Sequence, residues 1–330
     1  LVAWGALWAR AETTAPGAAD SVVVATVGGE PVYAKEVSRL LGAKVVHGKP
    51  VNPQALPVLQ ARMLEEIVDR RLVLAYARRT NRGATPAELE AARKEFLAKL
   101  QAQRRTPANP QAMLAEYLKG QGIERADLER QLVWNVIWEK YLARYVTADR
   151  VAAYFQAHRR ELDGTEALAG QILLKPAAGP GGPEAMDQLL DKARRIREEI
   201  VAGKISFADA AKQYSSAPSA RQGGELGWIG RHDAMGETFC RAVFALEPGQ
   251  VSEPVKTPSG VSLIRVERYK PGPKQLADVR KTIQEALARE LMEKLADAER
   301  PTSPVVFTGK LPYFKAGTHE LAPPVPPGDR

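Results

Sequence analysis

Cysteine is almost missing from this chain. A single thiol, Cys240, stands among 330 residues, so no internal disulfide framework can form and no multi-cysteine metal site can be assembled. It lies on the apolar run FCRAVFAL, where a buried small hydrophobe is expected rather than a nucleophile. Histidine is also scarce: His47, His158, His232 and His319 are scattered without ligand spacing, and neither a metal nor any other cofactor is expected. Long apolar runs are wanting as well. The stretch at residues 1–9, LVAWGALWA, falls short of the ~20 apolar residues that a spanning helix needs. What is present, 45% hydrophobic and 26% charged residues, is ordinary globular composition over a length that suits two or three domains.

Lys and Arg outnumber Asp and Glu by 47 to 39, and the excess sits between Pro31 and Arg150. These charges alternate in sign and make no basic block interleaved with aromatics, so they read as a solvated helical surface, and no nucleic-acid partner is expected. The opening residues, followed by Ala9-Arg10-Ala11, Glu12 and a linker rich in Thr, Ala, Pro and Gly to Asp20, have the pattern of the end of a secretory signal. The alternative is a membrane tether cut at its outer end. Both place the body outside the cytoplasm, in the periplasm or an equivalent space.

Ser21 to Val27 is β-branched and reads as a strand, turned by Gly28-Gly29 into a short extended piece at Glu30 to Val32. From Tyr33 to Arg160 the pattern is helical. Thr85-Pro86-Ala87-Glu88 is a capping box, Asn109-Pro110 opens a helix that Gly120 is expected to close, and Trp134 and Trp138 belong to a stripe read as core packing. Ala169 to Lys175 is a strand, Gly179 to Pro183 a flexible loop, Glu184 to Ala202 an amphipathic helix, and Ser206 the cap of the next. Lys274 to Arg300 carries an apolar stripe of Leu276, Val279, Ile283, Leu287, Leu291 and Leu295. Such a helix needs a partner face, for which the N-terminal helices are the candidates. Pro304 to Gly309 is expected to pair with SVVVATV, and the prolines beyond Leu311 argue for an extended or disordered tail.

The most ordered stretch runs from Gln222 to Ser262. It sets a Gly-Gly pair, an apolar bracket of Leu226, Trp228, Met235 and Phe239, a turn at Glu247 to Gly249, and the hydroxyls of Thr257 and Ser259 close together in sequence. This run resembles the second half of a parvulin-type (PpiC) peptidyl-prolyl isomerase domain, with GGELGW, FxxAVFALxPGxVSxPV and TPSG standing where that family carries its signature. The layout around it is similar to the SurA and PrsA group of extracytoplasmic folding factors, whose N-terminal helices and C-terminal segment form one chaperone module interrupted by the parvulin domain.

The resemblance implies an α+β chain. An all-α N-terminal domain at 21–160, after a signal remnant or anchor and linker at 1–20, is completed by a helix and strand at 273–310. A parvulin domain at 165–270 has a small antiparallel sheet surrounded by helices, and a Pro-rich tail covers 311–330. It also implies that Leu226, Met235 and Phe239 line a proline socket, with Thr257 and Ser259 on its floor. Where the family carries two histidines, this chain has Gln171 and Ser262, and the family's loop cysteine or aspartate falls near Ala217. The function expected from the resemblance is prolyl isomerisation in exported proteins. The alternative is a holdase that binds unfolded, proline-containing polypeptides through a catalytically weak or inactive parvulin fold, and a third reading is a structural subunit with one dedicated partner.

Overall fold

The computed structural model describes residues 22–45, 52–103, 109–176, 183–315, 318 and 320–324. The signal remnant and linker, His47, the loop at 179–182, His319 and the last prolines lie outside the described residues. Among the described residues, no helix is long and apolar enough to cross a membrane. The chain divides into two compact units, the first made of residues up to 147 and from 285 on, the second of Ala148–Gln284.

In the first unit, β1 (Val23–Val27) and β2 (Glu30–Tyr33) form an antiparallel hairpin. Gly28 and Gly29, both at positive φ, provide the two-residue turn whose twist suits the strands. The other edge of β1 is taken by β7 (Val305–Phe307), so the sheet runs β2-β1-β7. This sheet qualifies the all-α description of the N-terminal region. Helix α1 (Ala34–Val45) follows the hairpin, and α2 (Leu56–Arg79) lays Met63, Leu64, Ile67, Val68 and Leu72 against Val24, Val27 and Val32.

Helices α3 (Pro86–Ala102), α4 (Pro110–Gln121) and α5 (Arg125–Tyr145) come next. Thr85 and Glu88 make the expected reciprocal cap of α3. The end of α4 differs from expectation. The left-handed closing residue is Gly122, two beyond Gly120, because its N–H reaches back to the carbonyls of Leu118 and Lys119. Trp134 and Trp138 stack with ring centres 5.1 Å apart, and Trp134 joins Val73, Ala77, Ile137 and Tyr141 in a core shared with Leu291 and Leu295. Those leucines belong to α11 (Leu276–Glu299), whose last residue, Glu299, is buried and accepts from Arg79 Nε at 2.8 Å and Ser303 Oγ at 2.9 Å. The tail is not simply extended. β8 (Tyr313–Phe314) and β9 (Leu321–Ala322) pair, and Tyr313 stacks on Phe307 at 4.5 Å, which gives the segment an apolar anchor.

The second unit opens with α6 (Ala148–Ala157) and α7 (Arg159–Leu162). After them come β3 (Glu166–Leu174), α8 (Pro183–Val201), α9 (Phe207–Tyr214), a 3-10 turn at Pro218–Gln222, and β4 (Glu225–Gly230). α10 (Glu237–Phe244), β5 (Val255–Thr257) and β6 (Gly260–Lys270) complete it. All pairings are antiparallel in the order β4-β3-β6-β5, and the three-residue β5 is a strand that no alternation in the sequence marks. The α+β class expected from the sequence holds.

Candidate functional site

Side-chain alternation divides the four-stranded sheet into two faces. Ile172, Leu174, Val261 and Leu263 pack with α8 and α9, whereas Ala167, Ala169, Ile264 and Val266 pack with Phe239, Cys240, Val243 and Phe244 of α10. By the same alternation Gln171 on β3 and Ser262 on β6 fall on the α10 face. Gln171 pairs across the ladder with Ile264, and Ser262 with Leu173, so the two are diagonal neighbours. Gln171 Nε2 donates to Ser262 Oγ at 2.9 Å, and the side chains are 6% and 0% exposed. The pair is neutral, and neither group changes charge near neutral pH.

The Gly-Gly turn is what lets the preceding loop lie against this part of β3. Gln171 N donates to Gly224 O at 2.8 Å, and a Cβ on Gly224, which sits at φ +82, would lie 2.6 Å from the Gln171 carbonyl oxygen. Ser215 fastens the same loop from the other end, since its Oγ accepts from Leu173 N at 3.0 Å and from Ala217 N at 3.2 Å. Ala217, near which the family's loop position is expected to fall, is buried and offers no side-chain polar group.

Leu226 reaches the α10 face through an irregularity in β4. Ala169 lies opposite Gly227 and Gly170 opposite Glu225, which leaves Leu226 as an extra residue packed on the α10 cluster. Trp228 departs from the apolar bracket. It stands opposite Leu168, on the face away from α10, and is 40% exposed. Phe239 shares the cluster with Leu226 but at 1% exposure is core, while Met235, on the turn before α10, is 38% exposed and is not a member of that cluster. Thr257 Oγ1 donates to Gly260 O at 3.0 Å and closes the β5–β6 hairpin, with Ser259 exposed at its tip.

One organising residue has no signature in the sequence. Arg231 donates to both oxygens of Glu237 at 2.9 and 2.7 Å and to Glu161 at 3.2 Å, clamping the turn that carries Met235. The Glu237 carboxylate beside it, with Glu161, raises the guanidinium pKa, and Arg231 in turn holds the Glu237 carboxyl below its usual range. Its partners lie 70 and 6 residues away, which no periodicity reveals. Burial pushes the Cys240 thiol up, in keeping with a packed side chain. Among the described residues no group of three His, Cys, Asp or Glu could hold a metal ion.

The second unit thus presents a four-stranded antiparallel sheet flanked by helices, with a buried polar pair on the α10 face and the glycine turn locked against β3. Residues 172–268 match the family profile described as "Rotamase: PPIC-type PPIASE domain", beginning one residue after Gln171, and this part of the chain is a PpiC-type peptidyl-prolyl isomerase domain. The chain is similar to "Chaperone SurA" of Cupriavidus metallidurans, 46% identical over 89 residues, which is 27% of this chain and 17% of that protein. It is also similar to "Foldase protein PrsA" of Bacillus subtilis, 42% identical over 73 residues, 22% of this chain and 25% of that protein. The matched region thus spans about a fifth of the length of these curated relatives. The crystal structure of peptidylprolyl isomerase (PrsA) from Bacillus anthracis aligns over 73% of this chain and 96% of its own, at 23% identity and a TM-score of 0.32.

Proposed function

We propose that this protein is an extracytoplasmic peptidyl-prolyl cis-trans isomerase that assists the folding of exported proteins, and that the α10 face of the sheet is where an X-Pro bond is turned. The observation that carries this reading is the buried hydrogen bond from Gln171 Nε2 to Ser262 Oγ, at 2.9 Å, within a domain of the isomerase family. Rotation about the X-Pro bond crosses a barrier of ~18–20 kcal/mol set by amide resonance. No bond to carbon is made or broken. A site accelerates it by holding the ring in apolar surroundings and favouring the twisted amide over either planar form.

In this reading Met235 offers the apolar surface that a proline ring meets, and Leu226 and Phe239 support it from the cluster behind. Gln171 and Ser262 form a neutral floor in place of two imidazoles, and Thr257, through its bond to Gly260, fixes the hairpin that presents Ser259. Clients are unfolded or proline-containing polypeptides. The similarity to a chaperone and a foldase supports a folding role, and the extracytoplasmic location rests on the same relatives.

A second reading, a holdase with a weak or silent isomerase site, is favoured by one observation. Phe239 is 1% exposed, so a proline ring does not reach it without movement of its neighbours. Proline isomerisation of short X-Pro peptides, followed by exchange spectroscopy with the purified full chain, separates the two. Turnover that drops on Met235→Ala supports the isomerase. No turnover, together with suppression of client aggregation, supports the holdase.

A further inference from the structure

The opposite face of the same sheet carries a constellation that a peptidyl-proline site does not use. Leu168 and Gly170 stand two apart on β3 and share this face. Leu168 lies opposite Trp228 on one side and Arg268 on the other, and Gly170 lies opposite Glu225 and Arg265. Three residues apart on a regular strand, Arg265 and Arg268 would point to opposite faces. The extra residue Glu267, left unpaired where the register shifts between Leu168 and Ala169, brings both arginines to one face.

Each guanidinium lies over an aromatic ring, Arg265 over Phe207 at 4.9 Å and Arg268 over Trp228 at 5.6 Å. Helices α8 and α9 cover the far half of this face, over Ile172, Leu174, Val261 and Leu263, and leave Trp228 exposed. A Cβ on Gly170 would lie 3.1 Å from Phe207, so the ring packs close on the strand, and a shallow hollow beside it is rimmed by Leu168, Glu225, Arg265 and Glu267. Several arginines of this unit are tied to carboxylates, among them Arg160 to Glu247, Arg197 to Glu253 and Arg231 to Glu237. Among the described residues Arg265 and Arg268 are held by rings alone.

We propose that this face binds an acidic stretch of an extended polypeptide, with carboxylates seated on Arg265 and Arg268 and the neighbouring side chain against Trp228. Same-face neighbours on a strand stand ~7 Å apart, a spacing that successive same-side residues of an extended peptide match. A guanidinium flat on a ring keeps its N–H edge free for a carboxylate and is already partly dehydrated, which strengthens the charge-assisted bond. Glu225 and Glu267 at the rim are acceptors for the backbone N–H groups of the same segment. The surface is independent of the isomerase reading, since it lies on the other side of the sheet from Gln171 and Ser262.

The test is fluorescence anisotropy of a labelled, proline-free peptide rich in Asp and Glu titrated with the full chain, beside its Asn/Gln analogue and a DNA oligonucleotide of equal charge. Saturable binding of the acidic peptide, absent for the amide analogue and weakened about tenfold or more by Arg265→Gln and by Arg268→Gln, is the expected result. Arg268→Lys should restore it only in part, because a point charge cannot make the paired bonds. Arg268 is exposed, so its substitution is decisive even if Arg265→Gln impairs folding. Equal binding of the amide analogue, equal binding of the oligonucleotide, no binding of the acidic peptide, or full affinity in Arg268→Gln each overturns the proposal.

Discussion

Gln171 on β3 and Ser262 on β6 are joined by a buried hydrogen bond of 2.9 Å between diagonal positions of the sheet. An amide and a hydroxyl here add an uncharged tie between the two central strands of the isomerase domain, which are already paired through their backbone ladder.

Removing the acceptor should therefore cost stability. Ser262→Ala leaves the Gln171 amide buried without that partner, a loss of about 1–3 kcal/mol. Urea unfolding of the full chain, followed at the second unit, measures it, and an unchanged midpoint would mean that the amide finds another acceptor at once.

The same neutrality predicts the pH response. A floor built from histidine changes charge near pH ~6.5, whereas Gln and Ser do not. The isomerase rate should stay level as pH crosses that range, and Gln171→His should introduce a dependence on pH. A wild-type profile with a clear inflection there would place the working group elsewhere.

Met235 and Phe239 should separate stability from turnover. Phe239→Ala opens a void in the α10 cluster and should destabilise the domain by about 3–5 kcal/mol. Met235→Ala, on an exposed turn, should change stability by no more than about 0.5 kcal/mol yet lower the isomerase rate. Thermal unfolding and a peptide assay on both variants check this. Undiminished turnover in Met235→Ala would mean that the ring is held by other groups.

Asp69 of α2 should make the first unit pH-sensitive. Burial raises its carboxyl to about 7, against the lowering effect of the Arg300 guanidinium 2.6 Å away, and Glu65, Asp297 and Glu293 raise it further. The folded state therefore keeps a proton that an unfolded chain releases near 3.8. Folding binds protons across that interval, so this group's contribution is full below it, declines as pH rises toward 7, and levels off above. Asp69→Asn should flatten the slope in denaturant midpoints measured from acid to neutral pH. A slope that persists in the variant would assign it to another group.

Several local features are legible in the residues alone. Gly28-Gly29 dictated a hairpin, Thr85 and Glu88 a helix start, and the apolar stripe of α11 a face on which Val279, Ile283, Leu287, Leu291 and Leu295 are buried, because each depends on φ preferences or spacing within a few residues. The spaced motifs from Gln222 to Ser262 also made the isomerase domain legible. Three features were decided only by tertiary structure. Trp228 left the apolar bracket and Leu226 stayed with it, because one extra residue in β4 changes which face a side chain meets. Arg231 found partners at 161 and 237, and Tyr313 found Phe307, through contacts that carry no periodicity. Gln171 and Ser262, 91 residues apart, were singled out by comparison with a family pattern, but their bond exists because the β3–β6 register sets them diagonally on one face. Register and bulges are properties of paired strands, and a single strand read alone does not contain them.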